Sequence, residues 1–91
     1  MRLKGKVAIV TGGGSGIGRA SCLALAREGA KVAVTDLRIE AAENVAEEIR
    51  SVGGETLALA VDIGVEESIA GVVDRVATDW GSLDILHNNA A

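Results

Sequence analysis

Two hydrophobic patterns alternate along the chain: short segments rich in apolar residues, and longer segments in which apolar residues recur every three or four positions. The short segments cover residues 7–10, 31–35, 56–61 and 83–87, and the first of them is a continuous apolar run that ends at Thr11 and a glycine cluster. A continuous run such as 7–10 is typical of a strand that is buried on both faces of a parallel sheet, and the other three segments are also predicted to be strands. The longer segments centre on residues 17–25, 42–49 and 69–76, and their spacing predicts amphipathic helices.

The alternation of strands and helices predicts how the chain folds. Helices of this length between strands imply right-handed βαβ crossovers and a parallel sheet. We therefore expect an α/β fold of about four strands and three helices, with the strand order 3-2-1-4. In that order the chain crosses from one side of strand 1 to the other between strands 3 and 4. Ligands of open α/β sheets bind at such a switch point.

A glycine-rich loop lies between the first predicted strand and the first predicted helix. Residues 11–18 are Thr-Gly-Gly-Gly-Ser-Gly-Ile-Gly. Such a loop exposes backbone N–H groups at the positive end of a helix dipole, where a pyrophosphate can bind. A phosphate loop of nucleoside triphosphatases is excluded because Arg19 and Ala20 stand where Lys and Ser/Thr are required. Ile17 likewise excludes G-x-G-x-x-G, which leaves T-G-x-x-x-G-x-G.

This spacing resembles the cofactor fingerprint of the short-chain dehydrogenases/reductases, with Gly12, Gly16 and Gly18 at its three glycines. The resemblance covers the whole chain. It implies one partial dinucleotide-binding domain over residues 1–91, with a Rossmann-like fold truncated after strand 4. Ser15 and Ile17, within the fingerprint, are expected beside the cofactor.

The residues after the second predicted strand indicate which cofactor binds. Asp36 follows Gly18 by 18 positions, close to the spacing at which an acidic residue accepts hydrogen bonds from the adenosine ribose. A carboxylate there repels a 2′-phosphate. In the family, NADP users often carry a basic residue where Ser15 or Leu37 stands here. We therefore expect NAD in preference to NADP, with Arg38 as the nearby basic residue that leaves NADP open.

Two further segments resemble family motifs. Asp62-Ile63 matches an acidic-aliphatic pair whose carboxylate meets the adenine amino group and whose apolar neighbour covers the base. Alone, Asp62 also fits a turn or helix-capping residue. Residues 88–91, which are Asn88, Asn89, Ala90 and Ala91, resemble the N-N-A-G that supports the sheet and passes close to the cofactor. Ala91 replaces the usual glycine, which tolerates positive φ better than alanine.

Composition excludes several other classes of protein. The 91 residues carry a net charge of −4 with scattered basic residues, which argues against a nucleic-acid partner. Cys22 and His87, the only Cys and His, are too few for a disulfide framework or a four-ligand zinc site of N and S donors. No apolar run reaches the roughly 18 residues of a membrane span. We expect a cytoplasmic protein with no export signal, no membrane anchor and no bound metal.

Catalytic residues are not predicted within this chain. The family uses a Ser, a Tyr and a Lys in a Y-x-x-x-K arrangement, all beyond strand 4, whereas this chain contains no Tyr and only Lys4, Lys6 and Lys31. The resemblance implies hydride transfer between NAD(H) and an alcohol/ketone substrate in a complete enzyme, with this chain alone inactive. The alternative is a non-catalytic nucleotide-binding or interaction fragment. Its open strand 4 edge predicts self-association or pairing with another chain.

Overall fold

A computed structural model of the chain describes residues 2–62 and 64–89. Strands and helices alternate, as the sequence predicts. The elements in chain order are β1 (Val7–Thr11), α1 (Gly16–Arg27), β2 (Lys31–Asp36), α2 (Ile39–Ser51), β3 (Thr56–Ala60), α3 (Glu66–Trp80) and β4 (Ile85–Asn88).

The four strands form one parallel sheet in the order β3-β2-β1-β4. Ile9 in β1 is aligned with Ala33 in β2 and with Leu86 in β4. This confirms the predicted α/β fold and the predicted strand order. The carboxyl ends of β1 and β4 therefore lie side by side at the switch point.

The last strand begins later than the sequence predicts. The predicted strand starts at Leu83, whereas β4 starts at Ile85. Asp84 explains the difference, because its Oδ2 accepts a hydrogen bond of 2.9 Å from the Val7 backbone N–H while its own N–H donates to the Val7 carbonyl oxygen. A side chain thus takes the first position of the ladder between β1 and β4. Strand β3 also ends at Ala60, one residue before the predicted end.

The sheet separates two hydrophobic cores because successive strand side chains point to opposite faces. One core lies under α1 and α2 and is made of Val10, Cys22, Ala30, Val32, Val34, Ala42, Val45 and Ile49. The other lies under α3 and is made of Val7, Ile9, Ala33, Val61, Val72 and Val76. Cys22 is fully buried, and Trp80 packs against the second core.

Within residues 2–62 and 64–89, no helix combines the length and the apolar character that crossing a lipid bilayer requires.

Candidate functional site

The carboxyl ends of β1, β2 and β4 and the N-terminus of α1 surround the glycine loop. Gly12 and Gly16 have positive φ angles of 63° and 57°, a region that residues with a Cβ rarely adopt. These two glycines let the chain leave β1, turn, and enter α1 within a few residues. The predicted strand-to-helix loop is therefore present.

Gly18, in the first turn of α1, is needed for a different reason. A Cβ at Gly18 would overlap the Gly12 carbonyl oxygen and would lie 2.8 Å from the Asn89 side-chain nitrogen. Its missing side chain therefore lets α1 pack directly on the loop and on the residue that follows β4. The glycine loop, the first turn of α1 and the residue that follows β4 therefore meet at Gly18.

Asp36, the last residue of β2, is held by the backbone on both sides. Its Oδ2 accepts a hydrogen bond of 3.0 Å from the Gly14 N–H, and its Oδ1 accepts one of 3.1 Å from the Arg38 N–H. Each carboxylate oxygen has room for a second hydrogen bond. Asp36 is only half-buried, so its oxygens remain available to a ligand.

Thr11 joins the carboxyl end of β1 to the end of β4. Its buried hydroxyl donates to Asn88 Oδ1 at 2.8 Å and accepts from the Asn89 N–H at 3.1 Å. These contacts support the structural role that the sequence suggests for the two asparagines. They also fix the edge of the site that faces β4.

The mouth of the loop carries exposed side chains. Ser15 precedes α1 and, among the described residues, makes no side-chain capping hydrogen bond. The first N–H groups of a helix have no partner within the helix, so this terminus offers donors to an anion. Ile17 and Leu37 are 73% and 70% exposed, although a large apolar side chain gains free energy when a partner covers it.

The basic residue that follows the fingerprint is paired with helix α2. Arg19 forms a two-point ion pair with Glu48 of α2, with Nε donating at 2.8 Å to one carboxylate oxygen and a second guanidinium nitrogen donating to the other. The hydrogen bond and the opposite charge raise the pKa of Arg19, and the Arg19 hydrogen bond lowers the pKa of Glu48. The pair links α1 to α2 on the protein surface.

Asp62 lies after β3 and takes part in a turn. Its Oδ1 accepts a hydrogen bond of 2.9 Å from the Gly64 N–H, and its own N–H donates to the Ser68 hydroxyl at 3.0 Å. These contacts match the turn or capping role left open by the sequence. Asp62 is also exposed, so a ligand can reach it.

Three further residues of the predicted motifs, Ile63, Ala90 and Ala91, lie outside the described residues.

His87 has a neighbour that the sequence does not suggest. Its Nε2 lies 3.4 Å from the Ser21 hydroxyl, across the gap between β4 and α1. Both residues are half-buried, which agrees with a strand histidine that has a polar partner.

Burial raises the pKa of the Cys22 thiol to about 12, so this thiol stays protonated at neutral pH. Within residues 2–62 and 64–89, no three His, Cys, Asp or Glu side chains form a potential metal site.

The large cavity of about 740 Å³ in the described structure lies away from the glycine loop. It opens between the C-terminal ends of α1 and α2, near the amino ends of the strands, and its apolar lining includes Leu23, Ile49 and Val52. None of the predicted cofactor-binding residues that the structure describes lines it. We place the candidate site at the loop instead, because the tight turns, the polar donors and the held carboxylate converge there.

Sequence reasoning assigned no role to two residues of the loop. Thr11 and Gly14 both lie inside the T-G-x-x-x-G-x-G segment, but Gly14 stands at a position where the motif specifies no residue type. The contacts of Thr11 with residues 88 and 89 and of Gly14 with Asp36 span 77, 78 and 22 positions along the chain. For Gly14, the only signal in the sequence was that the loop contains more glycines than the motif requires.

Comparisons with known proteins agree with this geometry. Residues 6–91 match the family profile described as short chain dehydrogenase. Sorbitol dehydrogenase of Cereibacter sphaeroides is 48% identical over all of this chain, which covers 34% of that protein. The 7alpha-hydroxysteroid dehydrogenase of Escherichia coli K12 is 41% identical, with 99% of this chain and 35% of that protein covered. The chain thus spans about a third of the length of these relatives.

Solved structures give the same result. The crystal structure of hydroxysteroid dehydrogenase from Escherichia coli superposes with a TM-score of 0.96 at 41% identity, and the match covers 99% of this chain and 38% of the other. A 7 alpha-hydroxysteroid dehydrogenase complexed with NADH and 7-oxo glycochenodeoxycholic acid has a TM-score of 0.91 at 40% identity, over 93% of this chain and 33% of that one.

Proposed function

This chain belongs to the short chain dehydrogenase family, and on that premise we propose that it is the NAD-binding part of an oxidoreductase. The observation that carries the proposal is the meeting of the glycine loop, the N-terminus of α1 and the Asp36 carboxylate. The Gly14 N–H donates to Asp36 at 3.0 Å, so the loop and the carboxylate form one connected surface.

The loop has the form that a pyrophosphate requires. Among the described residues, apart from the two chain neighbours and the adjacent backbone of α1, no heavy atom lies within 4 Å of a Cβ built at Gly16, so the space beside this backbone is open. The N–H groups at the start of α1 would donate to the phosphate oxygens, with Ser15 and Ile17 beside them. Gly12 and Gly18 keep the loop and the helix close enough for both to contribute.

Asp36 is the basis for proposing NAD rather than NADP. A carboxylate held at the end of β2 can accept hydrogen bonds from the two hydroxyls of an adenosine ribose. The same charge would repel a 2′-phosphate, and neither Ser15 nor Leu37 supplies a compensating cation. The similar hydroxysteroid dehydrogenase crystallised with NADH supports the use of a nicotinamide cofactor.

The remaining predicted residues would complete the contacts. We assign Leu37 and Ile63 to apolar contacts along the adenosine, and Asp62 to the adenine amino group. Asn88, Asn89 and Ala90 would line the edge beside β4. Thr11 fixes the described part of this segment through Asn88 and Asn89.

In the complete oxidoreductase, the bound cofactor would carry hydride to or from an alcohol/ketone substrate. The residues of this chain would bind the cofactor and orient it, while the Tyr and Lys of the family lie beyond strand 4. We therefore expect the 91-residue chain to bind NAD without turning over a substrate.

Calorimetric titration of the 91-residue chain with NAD and, separately, with NADP tests the proposal. We expect saturable binding that favours NAD, and we expect Asp36→Ala to weaken NAD binding by about a hundredfold, since it removes two hydrogen bonds to a charged group that contribute about 1.5 kcal/mol each. Asp74→Ala is the matched control, because it removes the same charge from an exposed position on α3. Intact mass and circular dichroism verify each protein before titration. If the folded chain bound neither cofactor, the proposal would be wrong.

The exposed edge of β4 favours a second candidate function, an interaction fragment. Within the described residues β4 pairs only with β1, and its Leu86 side chain is 56% exposed. An unpaired apolar edge can add a strand from another copy of the same chain. We propose self-association of this 91-residue chain through β4.

Sedimentation velocity at increasing concentration tests the self-association. We expect a concentration-dependent dimer that Leu86→Lys abolishes, because a charge on an edge strand opposes pairing. Val52→Lys is the control, since Val52 is 80% exposed at a site far from β4 along the chain and its replacement should leave the dimer intact. A strictly monomeric wild-type protein at high micromolar concentration would contradict the proposal.

A further inference from the structure

The Asp36 carboxylate is held in one orientation by two backbone N–H groups from different segments. Arg38 lies just beyond β2 and donates to Oδ1, as in an ordinary local turn. Gly14 belongs to the loop after β1 and donates to Oδ2 across 22 positions of sequence. The second contact alone connects the phosphate-binding loop to the carboxylate that faces the ribose.

Gly14 makes this contact because it has no side chain. A Cβ at Gly14 would lie 2.5 Å from Ala41 Cβ, 2.8 Å from Asp36 Oδ2 and 2.9 Å from the Ala41 carbonyl carbon. Real Cβ contacts are essentially never shorter than 3.0 Å. Ala41 is part of helix α2, so its backbone cannot move aside without displacing the helix.

The conformation of the loop does not explain this glycine. Among the glycines of the loop, Gly12 and Gly16 have positive φ angles, and Gly14 does not. Another residue could therefore adopt its backbone angles, but its side chain would have no space. Glycine is needed at position 14 because the loop approaches Asp36 and α2 too closely to leave space for a side chain.

We propose that Gly14 is a positioning residue that sets the preference for NAD over NADP by holding the Asp36 carboxylate against the ribose site. The proposal rests on the proposed function, in which Asp36 binds the ribose. With Oδ2 held by Gly14 and Oδ1 by Arg38, each oxygen keeps a second acceptor site, which two ribose hydroxyls can use. Without the Gly14 contact, the carboxylate can turn away and leave room for a 2′-phosphate.

The test compares how Gly14→Ala changes the affinity for each cofactor. NAD and NADP share the same pyrophosphate and differ at the ribose 2′ position, so damage to the phosphate loop weakens both equally. Displacement of Asp36 instead changes the ratio of the NADP to the NAD dissociation constant. We expect Gly14→Ala to lower this ratio by about tenfold, which corresponds to the loss of one hydrogen bond to a charged group.

Two controls separate positioning from general damage. Gly13→Ala alters the neighbouring residue, whose Cβ would lie 3.0 Å from Cys22 Sγ and 3.0 Å from Val34 Cγ1, on the core side of the loop. It should lower both affinities alike and leave the ratio unchanged. In the Asp36→Ala background, Gly14→Ala should no longer change the ratio, since coupled residues are non-additive.

A second variant covers the possibility that Gly14→Ala fails to fold. Gly14→Ala/Ala41→Gly removes the shortest contact, the one with the Ala41 side chain, while the new Cβ stays 2.8 Å from Asp36 Oδ2 and 2.9 Å from the Ala41 carbonyl carbon, so the ratio should still fall. A wild-type chain that prefers NAD, together with folded Gly14 variants of unchanged ratio, would overturn this inference alone. A wild-type chain that bound neither cofactor would overturn the proposed function, and this inference with it.

Discussion

Replacing Thr11 by valine tests the contact network that joins β1 to β4. Thr11 is 5% exposed, and its hydroxyl makes two hydrogen bonds, of 2.8 Å to Asn88 Oδ1 and 3.1 Å from the Asn89 N–H. Valine has nearly the same shape but can make neither. At about 1 kcal/mol for each hydrogen bond, Thr11→Val should lower the free energy of unfolding by about 2 kcal/mol.

That loss is large for a domain of this size. A chain of 91 residues has an expected stability of about 5 to 14 kcal/mol, and 2 kcal/mol lowers its melting temperature by roughly 10 °C. Urea denaturation followed by circular dichroism measures the change. Thr11→Ser is the control, because it keeps both hydrogen bonds and loses one methyl group, which costs about 0.8 kcal/mol. A Thr11→Val protein as stable as Thr11→Ser would refute the reasoning.

Three other substitutions test separate parts of the structure. Gly18→Ala should displace α1 from the loop and abolish NAD binding in the calorimeter, because its Cβ would overlap the Gly12 carbonyl oxygen; unchanged affinity would contradict this. Burial raises the pKa of the Cys22 thiol from 9.0 to about 12. The stability that the buried, protonated thiol contributes is therefore complete below about pH 9 and is lost as the pH rises towards 12. Urea denaturation should therefore show that raising the pH from about 9 to about 12 lowers the free energy of unfolding less for Cys22→Ala than for wild type. Equal losses in the two proteins would contradict this prediction. Since Arg19 lowers the pKa of Glu48, the stability from this pair should be lost as the pH falls through the Glu48 pKa; thermal melts of Glu48→Gln and wild type should converge at low pH, and a difference that persisted there would count against the pair.

The fold was predictable because it follows from local patterns. Apolar runs and helical spacing specify the strands and helices, and the handedness of βαβ crossovers limits the topology of the sheet. The start of β4 was not predictable, because it depends on the Asp84 side chain, which bonds to Val7 at a separation of 77 positions. Hydrophobicity at Leu83 carries no information about that contact.

The candidate site was predictable in its motif residues but not in its connections. The fingerprint identifies Gly12, Gly16 and Gly18 from their spacing alone. The hydrogen bond from Gly14 to Asp36 depends on how closely the loop approaches α2, which only the folded chain shows. The pairing of Ser21 with His87 across 66 positions is of the same kind.

The central claim is that NAD binds at the carboxyl ends of the strands. Nuclear magnetic resonance of the ¹⁵N-labelled chain during titration with NAD tests it most directly, because each backbone amide reports on its own surroundings. We predict the largest shifts at residues 12–18 and at Asp36, Leu37 and Asp62. Shifts concentrated instead at Gly29, Gly53 and Gly54, which line the cavity between α1 and α2, would contradict the account.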